Sequence, residues 1–216
     1  MQVNVLNQQN SIFNRFLCEL RDVQIQQDPM RFRRNIERLG EIMSYEVSKT
    51  LNYKRIEVTT PLGVAVESVP DDQVVIGSIL RAGLPMHQGL LNYFDRSENA
   101  FVSAYRKYKE KTFDIHIEYI SSPSLDGKIL ILNDPMVATG SSIELAYKAL
   151  LQKGQPAHTH ILSLIASRAG VDYIRENLST HNITLWVGAV DADLNSHSYI
   201  IPGLGDAGDL AYGTKL

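Results

Sequence analysis

The sequence contains a single cysteine, Cys18, among its 216 residues. One cysteine cannot form a disulfide within the chain, which favours a reducing compartment. The first ten residues have neither a basic start nor an apolar core, and no apolar run approaches the length of a membrane span. We therefore expect a cytoplasmic protein without a signal peptide or a membrane association.

The sequence also lacks a strong charge of either sign. Its formal net charge is -3 and its pI is about 6.1, which argues against a general surface for nucleic acid or anionic lipid. It has no linker rich in proline, serine or glycine, and no internal repeat. We expect one domain over residues 1–216, with N-terminal helices in residues 10–50, a core in residues 56–190 and a tail loop in residues 194–216.

The first half of the chain changes its hydrophobic period once. Apolar residues recur at helical spacing within residues 13–47, and Asp28 followed by Pro29 predicts a capped helix start. From Ile56 to Val66 the period is two around residues 60–63, which predicts a hairpin. Four arginines lie mostly off the helical apolar stripe, and they form either a solvated helix face or a nucleotide effector site: Arg31, Arg33, Arg34 and Arg38.

Residues 129–142 read Ile-Leu-Ile-Leu-Asn-Asp-Pro-Met-Val-Ala-Thr-Gly-Ser-Ser. The four apolar residues fit a strand buried on both faces, and Ile143 opens a helical pattern after the small polar residues. A loop between a parallel strand and a helix presents backbone N–H groups that bind phosphate. Asp134 adds an acceptor suited to ribose hydroxyls. The segment has no lysine after its glycine and no G-x-G-x-x-G spacing, so it is neither a P-loop nor a dinucleotide turn.

Two arginines follow predicted strands. Arg81 ends the apolar run 74–80 and precedes a glycine-containing loop, and Arg106 follows the end of a predicted short strand, residues 101–105. Guanidinium groups at the carboxyl end of a parallel sheet suit phosphate, to which arginine donates two hydrogen bonds. The basic segment 106–112 is either a mobile flap over the phosphates or a solvated turn. Residues 113–119 alternate in polarity, which predicts a half-exposed strand of a β-arm.

The tail contains three glycines and one proline within residues 194–209, which predicts a shaped loop rather than a helix or a strand. Backbone groups exposed by glycine can pair with a small planar ring that carries alternating donors and acceptors, such as a pyrimidine. His158 and His160 lie on one face of a predicted strand with no third ligand nearby, so edge or core histidines are favoured over a metal site.

Three separated motifs resemble those of one family, the uracil phosphoribosyltransferases. Residues 134–142 resemble the loop that binds 5-phospho-α-D-ribose 1-diphosphate (PRPP) in type I phosphoribosyltransferases, and their Asp-Pro-Met start is similar to the uracil enzymes. Residues 79–84 resemble the pyrophosphate loop, and residues 199–209 match the signature tail. The chain differs at Pro135, where many members have a second acidic residue, at Ser141, where glycine is usual, and at residues 107–112.

The resemblance implies an α/β fold: a type I phosphoribosyltransferase-like parallel sheet flanked by helices, with a β-arm and a C-terminal hood loop over the base site. It implies the conversion of uracil and PRPP to UMP and diphosphate in pyrimidine salvage. It also implies a homodimer or higher homo-oligomer and, in several members, activation by GTP. Two alternatives stay open: a phosphoribosyltransferase for another base, and an RNA-binding pyrimidine regulator built on the same fold.

The site residues follow from the same resemblance. Arg106, Asp134 and Asp206 are the expected catalytic residues, and Asp206 is the candidate general base. Uracil is expected at Ile200, Gly205, Asp206 and Ala207. Magnesium is expected to arrive with PRPP, without direct protein ligands. PRPP is expected to contact Arg81, Arg106, Asp134, Pro135, Met136, Val137, Ala138, Thr139, Gly140, Ser141, Ser142 and Asp206.

Overall fold

The computed structural model describes residues 1–109, 112–179 and 182–215, and it describes the side chains of these residues except 104–109 and 112–117. The α-helices of this part of the chain are α1 (Ile12–Arg21), α2 (Pro29–Ser48), α3 (Leu84–Leu91), α4 (Ser141–Leu150), α5 (Arg168–Asn177) and α6 (Ala207–Tyr212). Its strands are β1 (Gln2–Val5), β2 (Tyr53–Thr60), β3 (Gly63–Pro70), β4 (Val74–Leu80), β5 (Glu98–Lys109), β6 (Thr112–Ser121), β7 (Ile129–Asn133), β8 (Met136–Val137), β9 (His158–Ser167), β10 (Ile183–Asp191), β11 (Asp193–Leu194) and β12 (Ile200–Ile201).

A mostly parallel sheet forms the centre of the molecule. Its strand order is β1-β10-β9-β7-β4-β5-β6, and the short β8 pairs with β9. Every neighbouring pair is parallel except β5 and β6, which run antiparallel. The predicted parallel sheet is therefore confirmed, with an antiparallel arm at one edge.

Helices cover both faces of this sheet. Side chains of α1, α2, α3 and α6 pack with Ile76, Ile131 and Leu162 on one face. Side chains of α4 and α5 pack on the other face, where Leu130 and Ile161 point. All five residues of β7 are buried, because alternate side chains of a central strand enter opposite cores.

The N-terminal helices begin where their capping residues predict. The Ser11 hydroxyl accepts a hydrogen bond from the Phe13 N–H, and the Asp28 carboxylate accepts from the N–H groups of Met30 and Arg31. These acceptors satisfy N–H groups that have no partner within the helix. In the part of the chain that the structure describes, no helix combines the length and apolarity that membrane crossing requires.

Two expectations about local structure were wrong. Arg106 does not follow the end of its strand, because antiparallel pairing with β6 extends β5 to Lys109 and sets Arg106 opposite Ile115. Of the segment expected to be a flap or a turn, residues 110 and 111 lie outside the described residues. The glycine-rich tail is not loop throughout, since it contains the β11–β12 hairpin and the short helix α6.

Candidate active site

Two loops leave neighbouring strands at the same edge of the sheet. β4 and β7 pair in parallel, and their register sets Ser78 beside Asn133. Arg81 follows the end of β4, and Asp134 follows the end of β7. The two residues therefore lie on adjacent loops at the carboxyl edge, where α/β proteins bind their ligands.

The loop after β7 forms an open depression, lined by residues 136–140, Ser142 and Ile143. Gly140 precedes α4 with a φ of 85°, a conformation that residues with a Cβ rarely adopt. A Cβ at this position would also lie 2.9 Å from Cδ1 of Tyr173 and 3.0 Å from the Gly170 carbonyl oxygen. The glycine therefore allows the loop to turn sharply into the first turn of α4, whose unpaired N–H groups suit an anion.

Ser167 holds this loop from behind. Its Oγ donates to the Ala138 carbonyl oxygen at 2.5 Å and accepts from the Gly170 N–H at 2.8 Å. The C=O and N–H of one trans peptide point in opposite directions, so the Thr139 N–H points away from Ser167. Within the loop, Oγ1 of Thr139 and Oγ of Ser141 are 2.7 Å apart. The Met136 N–H donates to the Asp134 carboxylate at 3.2 Å.

The tail reaches Arg81 from the far end of the chain. The Arg81 guanidinium lies 3.2 Å from Oδ1 of Asp209 and 3.2 Å from the Gly213 carbonyl oxygen. Asp206 caps α6, since its Oδ1 accepts from the Asp209 N–H at 3.0 Å, and Lys215 lies 3.4 Å from its Oδ2. The structure thus brings Arg81, Asp206 and Asp209 together, with cationic and anionic groups alternating. The Leu80-Arg81 and Ile201-Pro202 peptide bonds are cis.

A buried polar network links the two loops. Asn133 Nδ2 donates to Oγ of Ser78 at 2.5 Å and to the Gly77 carbonyl oxygen at 3.0 Å. Ser78 Oγ lies 2.7 Å from Nδ1 of His87 in α3. Burial lowers the pKa of His87, and a hydrogen bond with the Asn99 side chain acts in the opposite direction. With Asn133 donating to the hydroxyl, Ser78 donates to a neutral His87, and the network joins the ends of β4 and β7.

The residues expected to contact uracil lie along the tail. Ile200 and Ala207 are buried and pack into the core beneath α6, so their backbone groups rather than their side chains are available to a ligand. Gly205 is exposed and has a φ of 93°. The backbone of Gly203, between them, is held by Arg21 of α1 and Asp191 at the end of β10.

The two histidines that the sequence raised as metal ligands lie in a structural environment. Nδ1 of His160 accepts from Nε1 of Trp186 at 3.1 Å, and the rings of His158 and His160 lie 4.5 Å apart. Among the described residues, no group of three histidine, cysteine or acidic side chains is placed to bind a metal ion. The side chain of Arg106 lies outside the described residues, so its expected role stays a prediction.

The arginines of α2 are engaged within the chain. Arg31 pairs with Glu19, Arg34 pairs with Glu37, and Arg38 donates to Asn35. Arg33 donates to the Ala211 carbonyl oxygen at 2.6 Å and so fixes α6 on α2. These contacts favour structural roles over a nucleotide effector site.

Sequence reasoning missed Arg21, Asp191, Asn133 and Ser167. Three of these are polar residues at the ends of buried strands, the same signal that identified Asp134. Arg21 carries no such signal, because its importance comes from a contact with Asp191, 170 positions away.

The comparisons with known proteins agree with this geometry. The family model described as Uracil phosphoribosyltransferase matches residues 7–214. A uracil phosphoribosyltransferase of Porphyromonas gingivalis is 62% identical over 217 residues, covering 100% of both chains. One of Methanothermobacter thermautotrophicus is 42% identical, covering 86% of this chain and 85% of the relative. The solved structure of the AQ2163 protein from Aquifex aeolicus superposes with a TM-score of 0.87 at 31% identity, covering 100% of both chains. The chain belongs to the uracil phosphoribosyltransferase family.

Proposed function

We propose that the edge of the sheet formed by the loops after β4 and β7 and by the tail is where this chain transfers the ribose phosphate of PRPP to uracil. Family membership supports the reaction itself, which gives UMP and diphosphate, over the two alternatives left open by the sequence. The observation that carries the location is the contact of Arg81 with Asp209, because it joins the candidate pyrophosphate loop to the candidate uracil loop.

The chemistry explains the residue types at this edge. As the bond from ribose C1 to diphosphate breaks and the bond from C1 to N1 of uracil forms, positive charge develops on the sugar and negative charge on the leaving group. Arg81 and Arg106 are the cations for the diphosphate, and Asp134 is the acceptor for the ribose hydroxyls. The loop of residues 138–142 holds the 5-phosphate with its N–H groups. Preorganised charges of this kind lower the barrier without reorganising during the reaction.

Arg81 already has partners before any ligand arrives. Its contacts with Asp209 and the Gly213 carbonyl are with exposed groups, so a diphosphate with its larger charge can replace them. Such exposed ion pairs stabilise a protein by no more than about 1 kcal/mol. The tail therefore positions the guanidinium without holding it tightly.

Asp206 is the proposed acceptor of the proton that leaves N1 of uracil. Its Oδ1 caps α6, while its Oδ2 faces Lys215 at 3.4 Å. A carboxylate fixed by one oxygen has the other available to a ligand that displaces a surface lysine. In this arrangement the hydrogen bond that caps α6 sets the orientation of the carboxylate that acts as the general base.

Magnesium fits this edge as a companion of PRPP. No direct protein ligand is proposed, since the carboxylates near Arg81 that the structure describes, Asp206 and Asp209, face Lys215 and Arg81, and Mg²⁺ takes most of its ligands from water and phosphate. When bound, the ion would neutralise charge on the leaving diphosphate.

We also propose that the protein is a homodimer or a larger homo-oligomer. The β2–β3 hairpin exposes Leu62, Val64 and Val66, with 100%, 66% and 62% of their surfaces accessible. Clustered apolar side chains of this kind mark contact surfaces, and a second copy of the chain is the proposed occupant. Activation by GTP is proposed from family resemblance alone and is tested by measuring UMP formation with and without GTP.

The direct test is UMP formation from uracil and PRPP, with and without Mg²⁺, beside hypoxanthine, orotate and cytosine as competing bases. We expect a nucleoside monophosphate to form from uracil and not from the other three bases, and more UMP with Mg²⁺. If another base is the better substrate, the proposed use of the tail for uracil is wrong.

The variant Asp206→Asn tests whether Asp206 is the general base. Asparagine caps helices as well as aspartate does, so α6 should persist while the proton acceptor is lost. We expect kcat to fall by about 10²- to 10⁴-fold, with Asp172→Asn on the exposed face of α5 as the control. Turnover of Asp206→Asn near the parent value would remove the base role and leave the reaction assignment intact.

A further inference from the structure

An ion pair joins the first helix to the end of the sheet beside the tail. Nη1 and Nη2 of Arg21 each lie 2.8 Å from a different oxygen of Asp191. Only 8% of the Asp191 side chain is exposed, against 24% for Arg21. Burial alone would raise the pKa of Asp191, but hydrogen bonds from Arg21 and from the Gly203 N–H lower it below its ordinary value. The pair is therefore charged and rigid at neutral pH.

Both residues of this pair also hold Gly203. Oδ2 of Asp191 accepts from the Gly203 N–H at 2.9 Å, and Nη1 of Arg21 donates to the Gly203 carbonyl oxygen at 3.0 Å. The donor and the acceptor of one tail residue are thus fixed by two side chains from distant parts of the sequence. No other described glycine of the tail has a side-chain partner on both of its backbone groups.

Gly203 passes this constraint to its neighbours. It has a φ of 57°, and a Cβ there would lie 2.2 Å from the Ile200 carbonyl oxygen. Its backbone therefore rests against the backbone of Ile200, the residue at which the turn from Ile200 to Gly205 begins. Any movement of Gly203 would displace Ile200 and Gly205, the two ends of this turn.

Asp191 is also in register with Ser167, which holds the loop of residues 138–142. Asp191 is opposite Ser167 in the pairing of β10 with β9, and Ser167 holds the Ala138 carbonyl. Two adjacent strand ends thus fix two different loops, one expected to hold the 5-phosphate and one expected to hold the base.

We propose that Arg21 and Asp191 are positioning residues for uracil, which hold Gly203 and through it the turn from Ile200 to Gly205 in the shape that accepts the pyrimidine. This inference rests on the proposed uracil contacts of the tail. Neither residue touches the base itself. The pair acts by removing alternative conformations of the turn, so that uracil does not have to order it on binding.

The test compares Asp191→Asn, Arg21→Lys and Arg21→Gln by steady-state kinetics, varying uracil at saturating PRPP and PRPP at saturating uracil. We expect KM for uracil to rise about tenfold for Asp191→Asn and Arg21→Gln, while KM for PRPP and kcat stay within about threefold. Arg21→Lys should rise less, because lysine keeps the charge but lacks the planar fork that spans both carboxylate oxygens.

A matched control is available on α5, where Arg175 and Asp172 form an exposed pair at 3.3 Å. Asp172→Asn and Arg175→Gln make the same chemical changes away from the tail, and neither should alter KM for uracil. All kinetics are measured well below each variant's melting temperature. If Asp191→Asn or Arg21→Gln is too unstable to assay, Arg21→Lys alone decides, by the presence or absence of a selective rise in KM for uracil.

Gly205→Ala separates failure of this inference from failure of the proposed site. Its φ of 93° disfavours any side chain, and its Cβ would meet only Leu210, at 3.7 Å, so the substitution strains the turn without a clash. If Gly205→Ala leaves KM for uracil unchanged, uracil does not bind at the tail. If Gly205→Ala raises it and the Asp191 and Arg21 variants do not, or if these variants raise both KM values equally, the positioning role is overturned.

Discussion

At the residue scale, His160 shows how burial controls charge. Its ring is 3% exposed, and burial, with a further effect of His158, lowers its pKa to about 3. The unfolded chain binds a proton at this histidine below about pH 6.5, whereas the folded protein does not until about pH 3. The unfolded state is therefore favoured progressively as the pH falls from 6.5 towards 3.

We expect this histidine to reduce the free energy of unfolding by about 2 kcal/mol between pH 7 and pH 5, since each pH unit below the unfolded pKa corresponds to about 1.4 kcal/mol. Urea unfolding at both pH values measures it. His160→Asn keeps an acceptor for the Trp186 N–H and should show a pH effect smaller by this amount. An equal pH effect in the parent and in His160→Asn would contradict the lowered pKa.

The sequence could identify a site residue only where the pattern that indicates it lies within a few neighbouring residues. Arg81 directly follows an apolar run and Asp134 follows one after Asn133, so their place at the sheet edge was predictable from the chain alone. Asp191 carries the same signal, but nothing in the sequence says that it holds Gly203. Arg21 lies on a helix whose sequence shows only amphipathicity, and its partner is known only once the fold is formed.

At the element scale, the junction of β9 and α5 supports the loop of residues 138–142, which is proposed to hold the 5-phosphate. Ser167 is buried, caps α5 and donates to the Ala138 carbonyl. In Ser167→Ala the cap is lost and this carbonyl loses its partner, which together should lower the free energy of unfolding by about 2–4 kcal/mol. KM for PRPP should also rise, because the loop loses its support.

Ser11→Ala is the control for this prediction. Ser11 caps α1 by accepting from the Phe13 N–H at 3.2 Å, far along the chain from the phosphate loop. Its loss should cost about 1 kcal/mol and leave KM for PRPP unchanged. The supporting role of Ser167 is wrong if Ser167→Ala is destabilised and yet binds PRPP like the parent.

Elements were predictable where their signals are local and strong. The strand, loop and helix from Ile129 to Leu150 followed from an apolar run and a helical period. β1 was missed, since the alternation of polar and apolar residues over only four positions is too short to predict a strand, and these residues become a strand only by pairing with β10. α6 was missed because its glycine obscured the Asp206 cap, and β5 is longer than its apolar run because β6 extends the ladder.

At the scale of the whole molecule, the sheet order brings together loops that are distant in sequence. The tail returns across the sheet edge to Arg81, and Arg33 fixes α6 on α2. The N-terminal helices therefore hold the tail that is proposed to bind uracil, and they also cover one face of the sheet. Predicting this return of the tail requires the order of the strands in the sheet. Local sequence patterns predict that the strands are parallel, but they do not predict their order.

The hairpin of β2 and β3 exposes apolar side chains that the described part of the single chain leaves mostly uncovered. Val64 and Val66 share one face of β3, and both are exposed. We expect light scattering after size exclusion to give a mass at least twice the 24.2 kDa of one chain. Val64→Lys combined with Val66→Lys should lower the measured mass towards that of one chain, because burying each valine in a contact contributes about 1.5–3 kcal/mol. The control Val23→Lys, also at an exposed valine, should leave the measured mass unchanged. A parent protein with the mass of one chain, or a double variant with the parent's mass, would exclude the hairpin as the contact between copies.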